Sequence, residues 1–290
     1  MPADLFSTLI LILLTAADTV WRVGPYVVGG VVVATLLSWA LRGRHWAVPW
    51  WLPRPLATPL AAVMGVASPL PTTGMVPLAL RWQAEGLPAR LALTFVLASS
   101  LMNPQLFLLT LGALGVRFAM AQVAGVLLLS IGLGLALGRE NRRWCVTPED
   151  EPLADRKVWT GVVRLAEHVG VYILLGAVAG ASLQVLLPQL GALDWLGERG
   201  WLSTPLLGWL GAPFYTCGGA AVPLAGSLAQ VGFSRGTLFT FLLVGPALRG
   251  TTLANLGCLL SRRAQAACLA VLALGGGLLG YVVDWLVIVS

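Results

Sequence analysis

The chain has 290 residues, of which 58% are hydrophobic and only 10% charged, with a mean hydropathy of +0.85. A soluble domain carries about 25% charged residues, so water is not the main solvent of this one. The net charge of +6 does not make it a nucleic-acid binder, because its Lys and Arg fall between apolar stretches, where short cytoplasmic loops collect them.

In chain order, residues 5–17 are apolar without a basic stretch before them and read as a retained short or tilted helix rather than a cleaved signal. Residues 23–41 reach the roughly 20 apolar positions that cross a bilayer. The loop that follows carries Arg42, Arg44 and Arg54, with His45 among Trp46, Trp50 and Trp51, an interfacial aromatic belt rather than a ligand set. Residues 56–80 are apolar but broken by Pro and Gly, and 91–115 and 118–138 read as spans. The hydrophilic stretch 138–159 is basic enough to be cytoplasmic. Beyond it, 165–187 reads as a span opened by Glu167 and His168, which sit at the water boundary, with a proton relay as the lesser alternative. Then come a second broken stretch, 202–229, and spans at 236–260 and 265–286. Six crossings are expected, with the two broken stretches as the functional core. Cys145, Cys217, Cys258 and Cys268 form no CxxC pair, so neither a disulfide framework nor a structural zinc site is indicated.

Residues 21–104 match residues 167–250 at a constant offset of 146, with 20 of 84 pairs identical. The identities include Gly30/Gly176, Pro59/Pro205, Gly65/Gly211, Pro77/Pro223, Gly86/Gly232 and Phe95/Phe241, and paired Pro and Gly do not align by chance as Leu does. The chain therefore divides into a first membrane repeat (1–138), a cytoplasmic linker (139–160) and a second repeat (161–290). If each broken stretch crosses, the loop Lys and Arg divide ten to seven between the two sides; if each dips in and returns, they divide thirteen to four. The positive-inside rule prefers the second arrangement, in which the repeats are inverted. The fold expected is an all-α polytopic membrane protein of two inverted repeats with broken or re-entrant helices at its centre.

Irregular backbone at membrane depth is tolerated only where it lines a polar cavity or is buried in protein, and broken helices of inverted repeats form the substrate sites of many transporters. Cys217 stands at such a break, followed by Gly218 and Gly219, which allow close backbone approach. A soft sulfur there suits a soft metalloid, and a small buried residue is the plain alternative. Arg249, after GPAL, attracts an anion or repels a cation, or else snorkels at a helix end. Asn255 follows one and a half turns on, while Thr251 and Thr252 are expected to bond locally to backbone. The candidate substrate-binding residues are Cys217, Gly218, Gly219, Pro223, Arg249 and Asn255 with Thr72, Thr73, Pro77 and Asn103 of the first copy, and Cys217 is the candidate metal ligand.

The run from Tyr215 to Gly257, YTCGGAAVPLAGSLAQVGFSRGTLFTFLLVGPALRGTTLANLG, resembles the second conserved segment of the YraQ/ArsP-type predicted permeases, the organoarsenical-permease family. The resemblance covers nearly the whole chain and implies export of trivalent organoarsenicals, arsenite or heavy-metal species, with Cys217 as a substrate ligand. The first copy departs from that pattern. It carries Leu70-Pro71-Thr72-Thr73-Gly74, with Thr73 read in the position of Cys217.

The reading at this level is a multi-pass permease of a bacterial inner membrane, exporting a small inorganic or organometalloid species without a cofactor. Its surroundings are the lipid bilayer, and a homo-oligomer is compatible with it. No P-loop is present, and almost no Asp, Glu or His lies in the spans, which argues against an intramembrane enzyme. An anion transporter of the same fold and a membrane subunit or sensor without transport are the alternatives.

Overall fold

The computed structural model describes residues 2–40, 54–68, 72–84, 86–137, 171, 173–185 and 218–289. Helices α1 (Pro2–Ala40), α2 (Arg54–Ala67), α3 (Thr72–Ala84), α4 (Ala89–Leu101), α5 (Pro104–Leu114) and α6 (Val116–Leu137) form the first half. The second half contributes α7 (Ile173–Val185), α8 (Gly218–Val231), α9 (Arg235–Leu248), α10 (Gly250–Leu259) and α11 (Arg262–Val289). No strand occurs among the described residues, as hydrocarbon demands of a chain that must satisfy its own backbone.

Four helical segments are long and apolar enough to cross a membrane, namely Phe6–Gly29, Ala89–Leu114, Val116–Leu137 and Arg262–Leu286. The pair α9–α10, bent by 58°, makes a fifth if it is one span. These cover the spans expected at 91–115, 118–138, 236–260 and 265–286, whereas 165–187 lies only in part within the described residues. The N-terminal expectation is corrected. Residues 5–17 and 23–41 are not two elements, because α1 runs through both for 39 residues, about 58 Å at 1.5 Å per residue against a hydrocarbon core of roughly 30 Å. Arg22 pairs one turn back with Asp18 (Nε to Oδ2, 2.8 Å), an i,i+4 pair that fits a helix running on through this charged turn.

The broken stretch 56–80 resolves into α2 and α3, of 14 and 13 residues. Each is about 20 Å long, too short to span alone. Both carry an internal proline, Pro59 and Pro77. Of the stretch 202–229 the described part is α8, with Pro223 inside it.

At the centre lie α4 and α9, which pack on each other and are buried on every face. Nearly all of Leu91–Leu101 and all of Gly236–Ala247 are buried, the mark of a helix apolar all round. Around α4 pack α2, α3 and α6; around α9 pack α8, α10 and α11. Small residues set these approaches, as they do where lipid removes the hydrophobic drive between helices. Gly65 of α2 faces the Phe95 carbonyl and Ala98, Gly134 of α6 faces the Thr94 side chain, and Gly236 of α9 faces the Gly280 carbonyl and Asp284 of α11.

Two helix ends are closed alike. Gly86 (φ 104°) and Gly232 (φ 106°) end α3 and α8, with Gly86 N–H donating to Gln83 O and Leu87 N–H to Trp82 O. Gly232 N–H donates likewise to Ala229 O and Phe233 N–H to Leu228 O. This is the Schellman arrangement, whose positive φ favours glycine, and it explains why the Gly86/Gly232 identity is kept.

Candidate functional site

Each central helix is interrupted before its end. Between α4 and α5 the chain extends at Met102 (φ −147°, ψ 142°) and Asn103 (φ −142°, ψ 166°). The restart is closed by chemistry. Asn103 Oδ1 accepts from Leu106 N–H at 2.7 Å, and Pro104 at the first helical position has no N–H to leave unpaired.

Between α9 and α10 the corresponding residue is Arg249 (φ −62°, ψ 138°), and no side chain caps α10. Its first backbone bond runs from Leu253 N–H to Arg249 O at 2.9 Å, so the amides of Gly250, Thr251 and Thr252 form the open end of a helix. Arg249 is half-buried and makes no ion pair with a described residue.

The hydroxyls beside this end correct one expectation. Thr251 and Thr252 do not bond locally to backbone: their Oγ1 atoms are buried without a partner among the described residues. Thr94, Thr110 and Thr240 donate to the carbonyl four residues back, at Arg90, Leu106 and Gly236, whereas buried Thr58 of α2 is unpartnered among the described residues like Thr251 and Thr252. For Thr251 and Thr252 that carbonyl belongs to α9, and the 58° bend turns it away. The sequence pattern could not show this, since the pairing depends on the angle between two helices.

The other candidates divide by element. Thr72, Thr73 and Pro77 lie in α3; Gly218, Gly219 and Pro223 open α8; Asn255 lies in α10, engaged in an interaction of its own. Cys217, the candidate metal ligand, is outside the described residues and immediately precedes α8. The packing is crosswise: α10 rests on α3 and α8 rests on α5. The helix headed by Arg249 thus meets the one carrying Thr72, Thr73 and Pro77, and the helix headed by Gly218 meets the one capped by Asn103. Pro77 and Pro223 have no N–H, so the carbonyls of Thr73 and Gly219 lose their usual helical donor. How the fold treats such a carbonyl is seen at Leu242, freed by Pro246, where buried Gln122 of α6 donates Nε2 at 3.5 Å. At the 146-residue offset Cys217 falls opposite Pro71, and Thr73 opposite Gly219, which corrects the reading of Thr73 as the positional equivalent of Cys217.

Two further side chains were not singled out from the sequence. Asp284 of α11 accepts from Gly236 N–H at 2.6 Å and Ser234 Oγ at 2.8 Å, tying α11 to the start of α9. Ser234 also accepts from Thr237 N–H at 3.1 Å as the cap of α9. Cys258 of α10 is disulfide-bonded, which the absence of a CxxC pair in the sequence gave no sign of. Cys268 is buried and free. Among the described residues no three His, Cys, Asp or Glu are placed to hold a metal ion. A groove of about 400 Å³ between α1, α2, α5 and α6 is lined by apolar side chains such as Val63, Phe107, Met120 and Leu127, and offers nothing to a polar substrate.

Comparison with known proteins decides the class. The ArsP_1 family, described as predicted permeases, matches residues 8–285. The chain belongs to this family. A relative, the UPF0718 protein YcgR of Bacillus subtilis (strain 168), is 24% identical over 234 residues, covering 76% of this chain and 79% of the relative. No solved structure matches the chain. Membership of a permease family gives the open helix end and the paired breaks a context of membrane transport, with a small molecule as substrate.

Proposed function

We propose that this chain is an exporter of a small metalloid or heavy-metal species, a trivalent arsenical or similar, moving it across a bacterial inner membrane between two inverted homologous repeats. The observation that carries the reading is the pair of interrupted central helices, which hold irregular backbone and buried polar groups inside an otherwise apolar molecule. Supporting the duplication, α3/α8, α4/α9, α5/α10 and α6/α11 each begin 146 residues apart. The crosswise packing of α3 on α10 and of α5 on α8 is what a two-fold relation between copies requires, since a contact of one element with another implies the reciprocal contact. The shortness of α2 and α3 supports a dip-and-return hairpin, and the charge division supports inversion. Cys217, Gly218, Gly219 and Arg249 with Thr72, Thr73, Pro77, Asn103, Pro223 and Asn255 are the proposed lining, and no catalytic step is assigned.

The test is arsenical and heavy-metal accumulation in sensitised cells expressing wild type or Cys217→Ser. Wild type lowers accumulation and the variant does not. Equal accumulation with both, across trivalent arsenicals, zinc and mercury, overturns the metalloid reading. The anion reading is favoured by one observation, the uncapped start of α10 beside Arg249.

A further inference from the structure

We infer that the start of α10 is the docking point for the negative head of the substrate, and that the species carried is the anion of an oxygen acid. The inference rests on the permease reading and takes its anion alternative, in place of the trivalent metalloid, for the same central site. Its first support is the open helix end. Gly250, Thr251 and Thr252 present amides that no side chain caps, at the positive end of a helix dipole worth roughly half a charge. Arg249, at that end, adds a full positive charge.

The second support is independent. Thr252 is 1% exposed and its hydroxyl has no partner among the described residues, and the Thr251 hydroxyl is buried and unpartnered among them too. Helical side chains lean toward the N-terminus and cover the turn before their own Cα, so first-turn hydroxyls lie over the open amides. A buried unmet hydroxyl is costly; an oxyanion held there would accept from amides and hydroxyls together, with the guanidinium balancing its charge. The first copy supplies the contrast, with Asn103 and Pro104 closing the equivalent end of α5.

A substitution drawn from that contrast tests the site. Gly250→Pro puts into the second copy what the first has at Pro104. Arg249 already has the extended backbone that precedes proline, the first helical position tolerates it, and a Cβ at Gly250 meets nothing within 4 Å. The full chain in neutral detergent is titrated with inorganic phosphate and arsenate, with chloride at matched ionic strength, and its Tm is followed. Phosphate and arsenate raise the wild-type Tm with concentration and chloride does not. Gly250→Pro and Thr252→Val each weaken that response by about tenfold in apparent affinity, and Arg249→Gln abolishes it. Thr252→Val, nearly isosteric, carries the test if Gly250→Pro fails to fold. A wild type indifferent to both oxyanions, or variants responding like wild type, overturns the proposal. So does a response confined to an anionic phospholipid added to the micelle, which would make this a lipid-headgroup site. Cys217-dependent flux of a trivalent arsenical in vesicles, with no phosphate binding, overturns this inference and leaves the permease reading standing. Phosphate binding lost in Gly250→Pro, without flux of any probe, upholds the site and counts against the permease reading.

Discussion

Asp284 illustrates how a single side chain organises this protein. It stands near the end of α11 and reaches the first turn of α9, where the helix has amides to satisfy and Ser234 already caps one of them. A carboxylate there meets both an N–H donor and the positive end of the helix dipole. Ser234→Ala removes a cap and is expected to destabilise by about 1 kcal/mol. Asp284→Ala removes two bonds to a charged acceptor and is expected to destabilise by about 1–3 kcal/mol, with Asp284→Asn in between. Thermal unfolding in detergent reads the order, and an Asp284→Ala variant as stable as wild type contradicts it. Asp284 was passed over in the sequence because a lone acid at the edge of an apolar run looks like a boundary residue; its donors come from another helix 48 residues away. Thr252 was misread for the opposite reason, since a local partner was assumed that the bend removes.

Between elements, close approach through small residues replaces the hydrophobic drive that lipid cannot supply. Gly134 and Thr94 make the clearest pair: a Cβ added at Gly134 would collide with the Thr94 hydroxyl. Gly134→Ala is expected to cost about 1–3 kcal/mol through overpacking of α4 on α6, and Thr94→Ala in the same chain recovers much of it. Measuring both singles and the double gives the coupling energy; additive losses would mean that α4 and α6 do not meet at these two residues. The pairing of Gly134 with Thr94 is invisible in the sequence, because Gly in an apolar span reads equally as packing, kink or lipid-facing surface. The breaks were legible in part. Pro and Gly in 56–80 marked a broken stretch, since proline chemistry is local, whereas 91–115 and 236–260 read as whole spans and their interruptions at Met102 and Arg249 came from the structure.

At the scale of the molecule, inverted repeats place equivalent loops on opposite sides of the membrane. Single cysteines introduced at Arg44 and Arg199, in a chain otherwise free of exposed thiols, are expected to react with an impermeant maleimide from opposite faces of the membrane, Arg44 from the cytoplasm. Reaction of both from one face would rule out the inversion while leaving the duplication intact. The crosswise packing of α3 on α10 and α5 on α8 concerns the relation of the copies and stands apart from that outcome. The sequence by itself determined that the chain lives in a membrane, that its halves match at 146 residues, and that the stretch 56–80 is broken, because hydropathy, identity and proline are properties of residues in order. The continuity of α1 through Arg22, the meeting of α10 with α3, the tie of Asp284 to α9 and the open end of α10 were decided only by the tertiary structure. They depend on angles and distances between helices, which a hydrogen bond or a close contact senses and a pattern along the chain does not.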